Sequence, residues 1–363
     1  MREAGEMERG FETVGNATLI CHDRRPVLVT DPWLVGPAYF GSWTLSHEIP
    51  EPQMDAIRRC EYVWLSHGHP DHLSADSLAL LRDKTILLPD HYGGRIRRDL
   101  TAHGFAVRVL EDRTWYPLSR NVRVLCIADY NQDAVLLIDL GGMLVVDKND
   151  AVDHGWARFV RKVVRGYRAS CLLSLSGYGD ADMINFFDEA GRRIPRDDAR
   201  AVPPGGAIAR MTEFFGARFF VPFSSMHRYQ RRDSVWANEF STGLSEYAQG
   251  FDSRSAEILP PYIRYDCVRD DVEEIRPAPV PDRVVEPEVF GDDWSVQLEP
   301  ADVRKLRDYF RSVRHLETVL GHVTFRVGGR DHVVEFGGRR RRPKRGITFE
   351  APRNSLMKAV EWQ

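Results

Sequence analysis

The sequence predicts an α/β protein followed by a smaller α+β extension, and three observations carry that prediction. From Ala17 to Leu110, short apolar runs of strand length alternate with helix-periodic ones. After Leu259 the composition shifts, with six prolines between Pro260 and Pro287, and a helix-like and two strand-like segments follow. Finally, 363 residues at 43% hydrophobic and 28% charged are enough for a large buried core and typical of a folded soluble chain.

The elements follow in order. VLVTD (27–31) and YVWLS (62–66) read as buried strands that end at polar residues. Ser74 is placed to cap a helix over ADSLALLRD, and TILLP (85–89) is again a strand. RVLCIAD (123–129), AVLLID (134–139) and MLVVD (143–147) are three more, the last two joined by a Gly141-Gly142 hairpin turn. HGWARFVRKVVRG (154–166) has helical spacing, and CLLSLS (171–176) and ARFFVPF (217–223) are strands. Beyond the proline-rich stretch, residues 301–315 predict a helix and HVTFRV and HVVEF two strands. The domain reading is therefore 1–260, a linker or wrapped segment over 261–290, and an extension over 291–363. LMKAVEWQ stops inside an apolar-periodic segment without a cap, so the natural chain is expected to run further.

Composition excludes several classes. No run of about 18 apolar residues occurs, so no transmembrane helix is expected. The mostly charged stretch Met1–Gly10 does not read as a signal peptide. A net charge of −3 gives no general attraction to nucleic acid or membrane. Five cysteines, scattered and unpaired in spacing, suggest a reducing cytoplasm. No Walker loop, dinucleotide fingerprint or nucleophile elbow is present.

The chemistry concentrates in Ser66-His67-Gly68-His69-Pro70-Asp71-His72, between a buried strand and a helix. Four metal-competent side chains lie within six residues, at the turn where α/β proteins place their sites. A tight loop can direct His67 and His69 to one metal and Asp71 and His72 to a second.

This arrangement resembles the metallo-β-lactamase superfamily, whose signature is His-x-His-x-Asp-His after a strand. The resemblance implies an αββα sandwich with one or two metals at an edge. It implies three further ligand positions: a His on a later strand, a bridging Asp and a distal His. It also implies that Asp31, at the end of VLVTD, holds a ligand histidine by its other nitrogen. His227 is the one histidine between His154 and His315, and so the distal candidate. For the bridge, Asp147 and Asp150 both qualify. Where the third His is expected, the chain has Asp129 instead. As a ligand, Asp129 makes the site rich in carboxylate, which favours iron or manganese over zinc.

A narrower resemblance covers TDPWLVGPAYFGSWTLSHEIPEP (30–52), VWLSHGHPDHLSADSLALL (63–81), DYNQDAVLLIDLGGMLVVDKND (129–150), SLSGYGDADMINF (174–186) and VVEPEVFGDDW (284–294). These segments look like the hydroxylase half of CMP-N-acetylneuraminate hydroxylase and its bacterial relatives. In that branch the bridging Asp follows an Asn, which matches Asn149-Asp150 and favours Asp150. The branch's Rieske domain needs Cys-x-His and Cys-x-x-His pairs, and these 363 residues hold none. An acidic residue at the Asp129 position is, by resemblance, a mark of the superfamily's di-iron amino acid β-hydroxylases.

The expected function is therefore a non-heme di-iron oxygenase, with O2 as co-substrate, a small biosynthetic substrate and electrons from an external ferredoxin or reductase. The alternative is a zinc or manganese hydrolase of a phosphodiester, lactone or ester, in which Asp71 moves a proton. Trp33, Tyr39, His47 and Tyr178 lie in Gly/Pro-punctuated loops and are candidates for a substrate pocket. The run Arg339-Arg340-Arg341-Arg342 reads as a solvated hairpin tip between HVVEF and GITFE; its functional alternative is to hold a phosphate-bearing carrier or nucleotide group.

Overall fold

A computed structural model describes residues 7–179, 188, 190, 192, 194, 202–336 and 345–361. The chain divides into two compact units, Met1–Tyr229 with Ser234–Asp282, and Gln230–Asp233 with Arg283–Gln363. The run 339–342 lies outside the described residues.

The first unit holds two large sheets. One orders its strands Asp271–Glu274, Ile263–Asp266, Arg9–Gly15, Thr18–Asp23, Arg25–Thr30, Tyr62–Trp64, Thr85–Pro89, Ala106–Leu110. The other runs Glu257–Ile258, Phe219–Pro222, Ala169–Ser174, Met143–Asn149, Ala134–Leu140, Val122–Ala128, Trp115–Pro117. Each sheet is part antiparallel and part parallel, the parallel part joined through helices.

Alternation along the strands decides the layers. Phe11, Leu19, Cys21 and Leu28 of the first sheet meet Cys126, Leu136, Val145 and Cys171 of the second in one core. The alternate residues face outward under helices. Ile20, Val29 and Val63 are covered by Ile57, Leu78 and Leu100, from the helices Glu51–Arg59, Ala75–Ala79 and Arg95–Ala102. Leu144, Val146 and Leu172 are covered by Trp156, Val160, Ile208 and Phe215, the last three on Ala157–Val164 and Gly205–Phe215. The unit is an αββα sandwich, as expected.

Most elements fall where the sequence puts them. Gly141 and Gly142 turn the hairpin with φ of +62° and +103°, values that favour glycine. Ser74 caps its helix by accepting from the Ser77 N–H, but that helix ends at Ala79. Two corrections are needed. Eight residues of the stretch read as a linker or wrapped segment are sheet: Ile263–Asp266 pairs with Arg9–Gly15, and Asp271–Glu274 with Ile263–Asp266. Ile263 and Tyr265 alternate inward, and Tyr265 stacks on Phe11 at 5.4 Å, so burial of these two residues outweighs the proline content around them. In the second unit, HVVEF and GITFE are not hairpin partners. Gly346–Glu350 pairs in parallel with His322–Val327, on the side away from Arg330–Glu335.

The second unit packs that three-stranded sheet under the helices Pro300–Ser312 and Arg353–Glu361. The first of these opens on a reciprocal cap between Glu299 and Asp302. Inside the unit, the buried Arg231 guanidinium is held by Asp292 at 2.7 Å.

Candidate metal centre

The strands Arg25–Thr30 and Tyr62–Trp64 run parallel, so their C-terminal ends emerge side by side. Asp31 follows the first and Ser66-His67 the second. Asp31 turns out of its strand with φ of +36°, which Asp tolerates better than most side chains. Its carboxylate is fully buried and accepts from the Ser66 N–H at 2.7 Å. The other oxygen lies 3.2 Å from His72 Nδ1. That contact places the Nδ1 proton toward Asp31 and frees His72 Nε2 as a donor atom. The resemblance implies a contact of this kind for Asp31.

His67 Nε2 lies 2.7 Å from His69 Nδ1 and 3.5 Å from Asp150 Oδ2. Ligand atoms of His67, His69 and Asp150 all fall within 4.8 Å of one another, a spacing that can close on one cation. Burial, reinforced by His72 and His69, pushes His67 well below the usual histidine range, which keeps it in the neutral form that binds metal.

A second group adjoins it. Asp71 Oδ2 is 3.3 Å from His72 Nε2 and accepts from Asn16 Nδ2 at 2.9 Å, while Tyr39 OH donates to Asp71 Oδ1 at 2.9 Å. Burial alone would raise the Asp71 pKa, but His72, Asn16 and Tyr39 outweigh it and hold the carboxyl well below its normal range. The same charges act in reverse on His72: burial lowers it, and Asp71 and Asp31 carry it well above its ordinary value. His227 is buried, feels the Asp71 charge, and has its pKa lowered to about 4 by burial. Its ring stacks on Trp43 at 3.5 Å, and its strand pairs with Trp43–Leu45.

Asp147 and Asp150 separate by depth. Met143 and Val145 point between the sheets, and Asp147 continues that face, its carboxyl buried and pushed well up by desolvation and by Asp31. Asp150, past the strand end, reaches the histidines.

Asp129 is turned elsewhere. Its Oδ2 is 2.8 Å from His154 Nδ1 and accepts from Trp156 Nε1, while Oδ1 accepts from the Tyr130 N–H at 2.6 Å. Among the described residues it makes no ion pair with His67. Asp133, on the same loop, approaches that neutral ring: its Oδ1 is 3.8 Å from Nδ1, across the ring from the Nε2 that meets His69 and Asp150. Burial and then Asp150 raise its pKa.

The pocket candidates divide likewise. Tyr39 touches the site through Asp71. Trp33 is buried in a packed cluster, its indole donating to Gly36 O. His47 Nδ1 lies 3.0 Å from Tyr262 OH, against that ring. Tyr178 is half-buried, its backbone N–H donating to Thr242.

Sequence reading missed Asp133, Asn16 and the carboxamide of Asn149. Asn149 Nδ2 is 3.3 Å from Asp31 Oδ2 and 3.1 Å from His72 Nδ1, and its Oδ1 accepts from Ser224. Its place just before Asp150 was the one available signal.

No protein-family model matches the chain. It is 27% identical over 141 residues to the cytidine monophosphate-N-acetylneuraminic acid hydroxylase of Asterias rubens, covering 36% of this chain and 22% of that protein. It is 27% identical over 145 residues to that of Sus scrofa, covering 38% of this chain and 33% of the relative. These matches thus span a third or less of the relatives' length. Among solved structures, the chain is similar to Igni18, a metallo hydrolase from Ignicoccus hospitalis, with TM-score 0.47 and 15% identity over 74% of this chain and 100% of that one. It is also similar to CmlA, a diiron β-hydroxylase from Streptomyces venezuelae, with TM-score 0.45 and 14% identity over 73% of this chain and 55% of that one. No helix among the described residues is long and apolar enough to cross a membrane. Four layers of αββα and a His-x-His-x-Asp-His loop at the sheet edge give this chain the metallo-β-lactamase fold, with similarity over part of its length to CMP-N-acetylneuraminic acid hydroxylases.

Proposed function

We propose that the chain is a non-heme di-iron oxygenase that oxidises a small biosynthetic substrate with O2, drawing electrons from a separate donor. One observation carries the reading: ligand atoms of His67, His69 and Asp150 converge, and the adjoining loop from Asp129 to Asp133 offers two acids and no histidine. Such a donor set suits iron or manganese better than zinc.

His67, His69 and Asp150, with an acid of the 129–133 loop, would hold one iron. Asp71, His72 and His227 would hold the other, with Asp150 between them. When bound, the irons supply one-electron chemistry with O2. The chain's own residues do the rest. Asp31 fixes the His72 ring, and Asn149 Nδ2 donates to Asp31 in turn. Tyr39 and Asn16 orient Asp71. Trp43, stacked on His227, covers that ring from water.

The test is metal analysis of protein expressed with iron and zinc both present, followed by O2 uptake after chemical reduction. About two irons per chain and reductant-dependent O2 uptake are expected. Stoichiometric zinc, no iron and turnover of a phosphodiester or lactone would overturn the reading in favour of a hydrolase.

A further inference from the structure

The strand Met143–Asn149 ends at the metal centre; its first residue borders a cavity of about 530 Å³. Seven residues of strand place the two about 20 Å apart. Arg9, Arg123 and Arg168 all line this cavity, with Asp139 as its one carboxylate.

The three guanidinium groups are held differently. Arg123 lies over the Trp115 ring at 4.6 Å, and its Nε donates to Asp139 at 2.8 Å. Tyr167 OH also donates to Asp139, at 3.0 Å, so that carboxylate is already engaged. Arg9 packs its guanidinium against the hairpin turn, where a Cβ on Gly141 would lie 2.8 Å from Arg9 Nη1. The glycine therefore makes room for Arg9 as well as making the turn. Arg9 Nε is buried with no hydrogen-bond partner among the described residues. An unmet buried donor of this kind is costly, the more so on a charged group. Arg168 is exposed.

The lining holds three arginines and one carboxylate that is already engaged; Asp23 and Asp270 act on Arg9 and Arg168 from outside it, and the guanidinium groups are what the concave site itself offers an anion. Planar guanidinium groups match the paired oxygens of phosphate and carboxylate. We infer that this cavity is a binding site for a small anion with at least two oxyanion groups, a phosphate ester or a polycarboxylate, separate from the metal centre. It does not depend on which metal that centre holds.

The experiment is titration calorimetry at physiological salt on the full 363-residue chain, with pyrophosphate and with citrate as probes. Saturable binding of at least one is expected. Pyrophosphate alone assigns a phosphate ester, citrate alone a polycarboxylate, and both assign the shared oxyanion chemistry. Arg9→Gln and Arg168→Gln should each weaken binding about tenfold, since each removes a charge-assisted contact. Arg168→Gln replaces an exposed side chain, so it reports even where Arg9→Gln does not fold. His69→Ala, at the other end of the strand, should leave the affinity unchanged. No saturable binding of either probe at millimolar concentration overturns the inference. So does an affinity left unchanged by Arg168→Gln, or binding that disappears with His69→Ala.

Discussion

The two ends of the strand Met143–Asn149 carry opposite chemistry on one scaffold. At its start stand Arg9, Arg123 and Arg168; at its end lie Asp31, Asp71, Asp150 and four histidines. Between them Leu144, Val145 and Val146 are buried and apolar. The contrast shows that the sandwich fixes spacing, while the loops at each rim decide which charge accumulates there. A separation of about 20 Å is two Debye lengths or more at physiological salt, so each end is expected to act on its own.

The largest effect that would break this separation comes from the metal end. His69→Ala removes one of three converging candidate ligands. Metal content measured by mass spectrometry should fall by at least one ion per chain, with O2-dependent turnover reduced about a hundredfold or more. The basic cavity should be untouched, and a loss of anion binding in the same variant would show that the ends are coupled.

Asp31→Ala should come next. It removes the acceptor of the Ser66 N–H and the partner of His72, both buried. Denaturant unfolding should show a loss of about 3 kcal/mol, and metal affinity should drop about 10- to 100-fold. A smaller contrast sharpens the site itself. Asp133→Asn should lower iron retention about tenfold, and Asp129→Asn less, because Asp129 is engaged by His154 and Trp156. The reverse order would return the ligand role to Asp129.

The smallest effect lies in the other large sheet. Glu12 is buried beside His22, Arg264 and Gln53. Burial alone would raise its pKa, but these partners bring it below its ordinary value of 4.5. A carboxyl depressed in the fold stabilises it above that value and loses the contribution as pH falls further. Between pH 7 and 3, stability should therefore fall less in Glu12→Gln than in the parent, by about 1 kcal/mol. An identical slope in the two would discount the ionised form.

The layers were legible because continuous apolar runs of strand length, such as MLVVD (143–147), report strands buried on both faces. The metal loop was legible because four donors in six residues need no tertiary information. What stayed hidden depends on side-chain direction. Asp129 and Asp133 sit on one short loop, and nothing in their spacing tells which faces His67. Ile263–Asp266 was hidden for another reason: four residues among prolines give too short a pattern, and Phe11, 254 positions away, supplies its reason to pair.

Asp31 and Asn149 leave their strands with φ of +36° and +52°. Each residue therefore meets two demands at once, a backbone bend and a buried polar group that steadies His72. Glycine meets the first alone, glutamate or glutamine something of the second alone, and only aspartate and asparagine have the reach for both. Mutational tolerance at these two positions should consequently be narrower than at the metal ligands' exposed neighbours. Exchanging Asp31 and Asn149 for each other's residue type is the gentlest perturbation this rim admits.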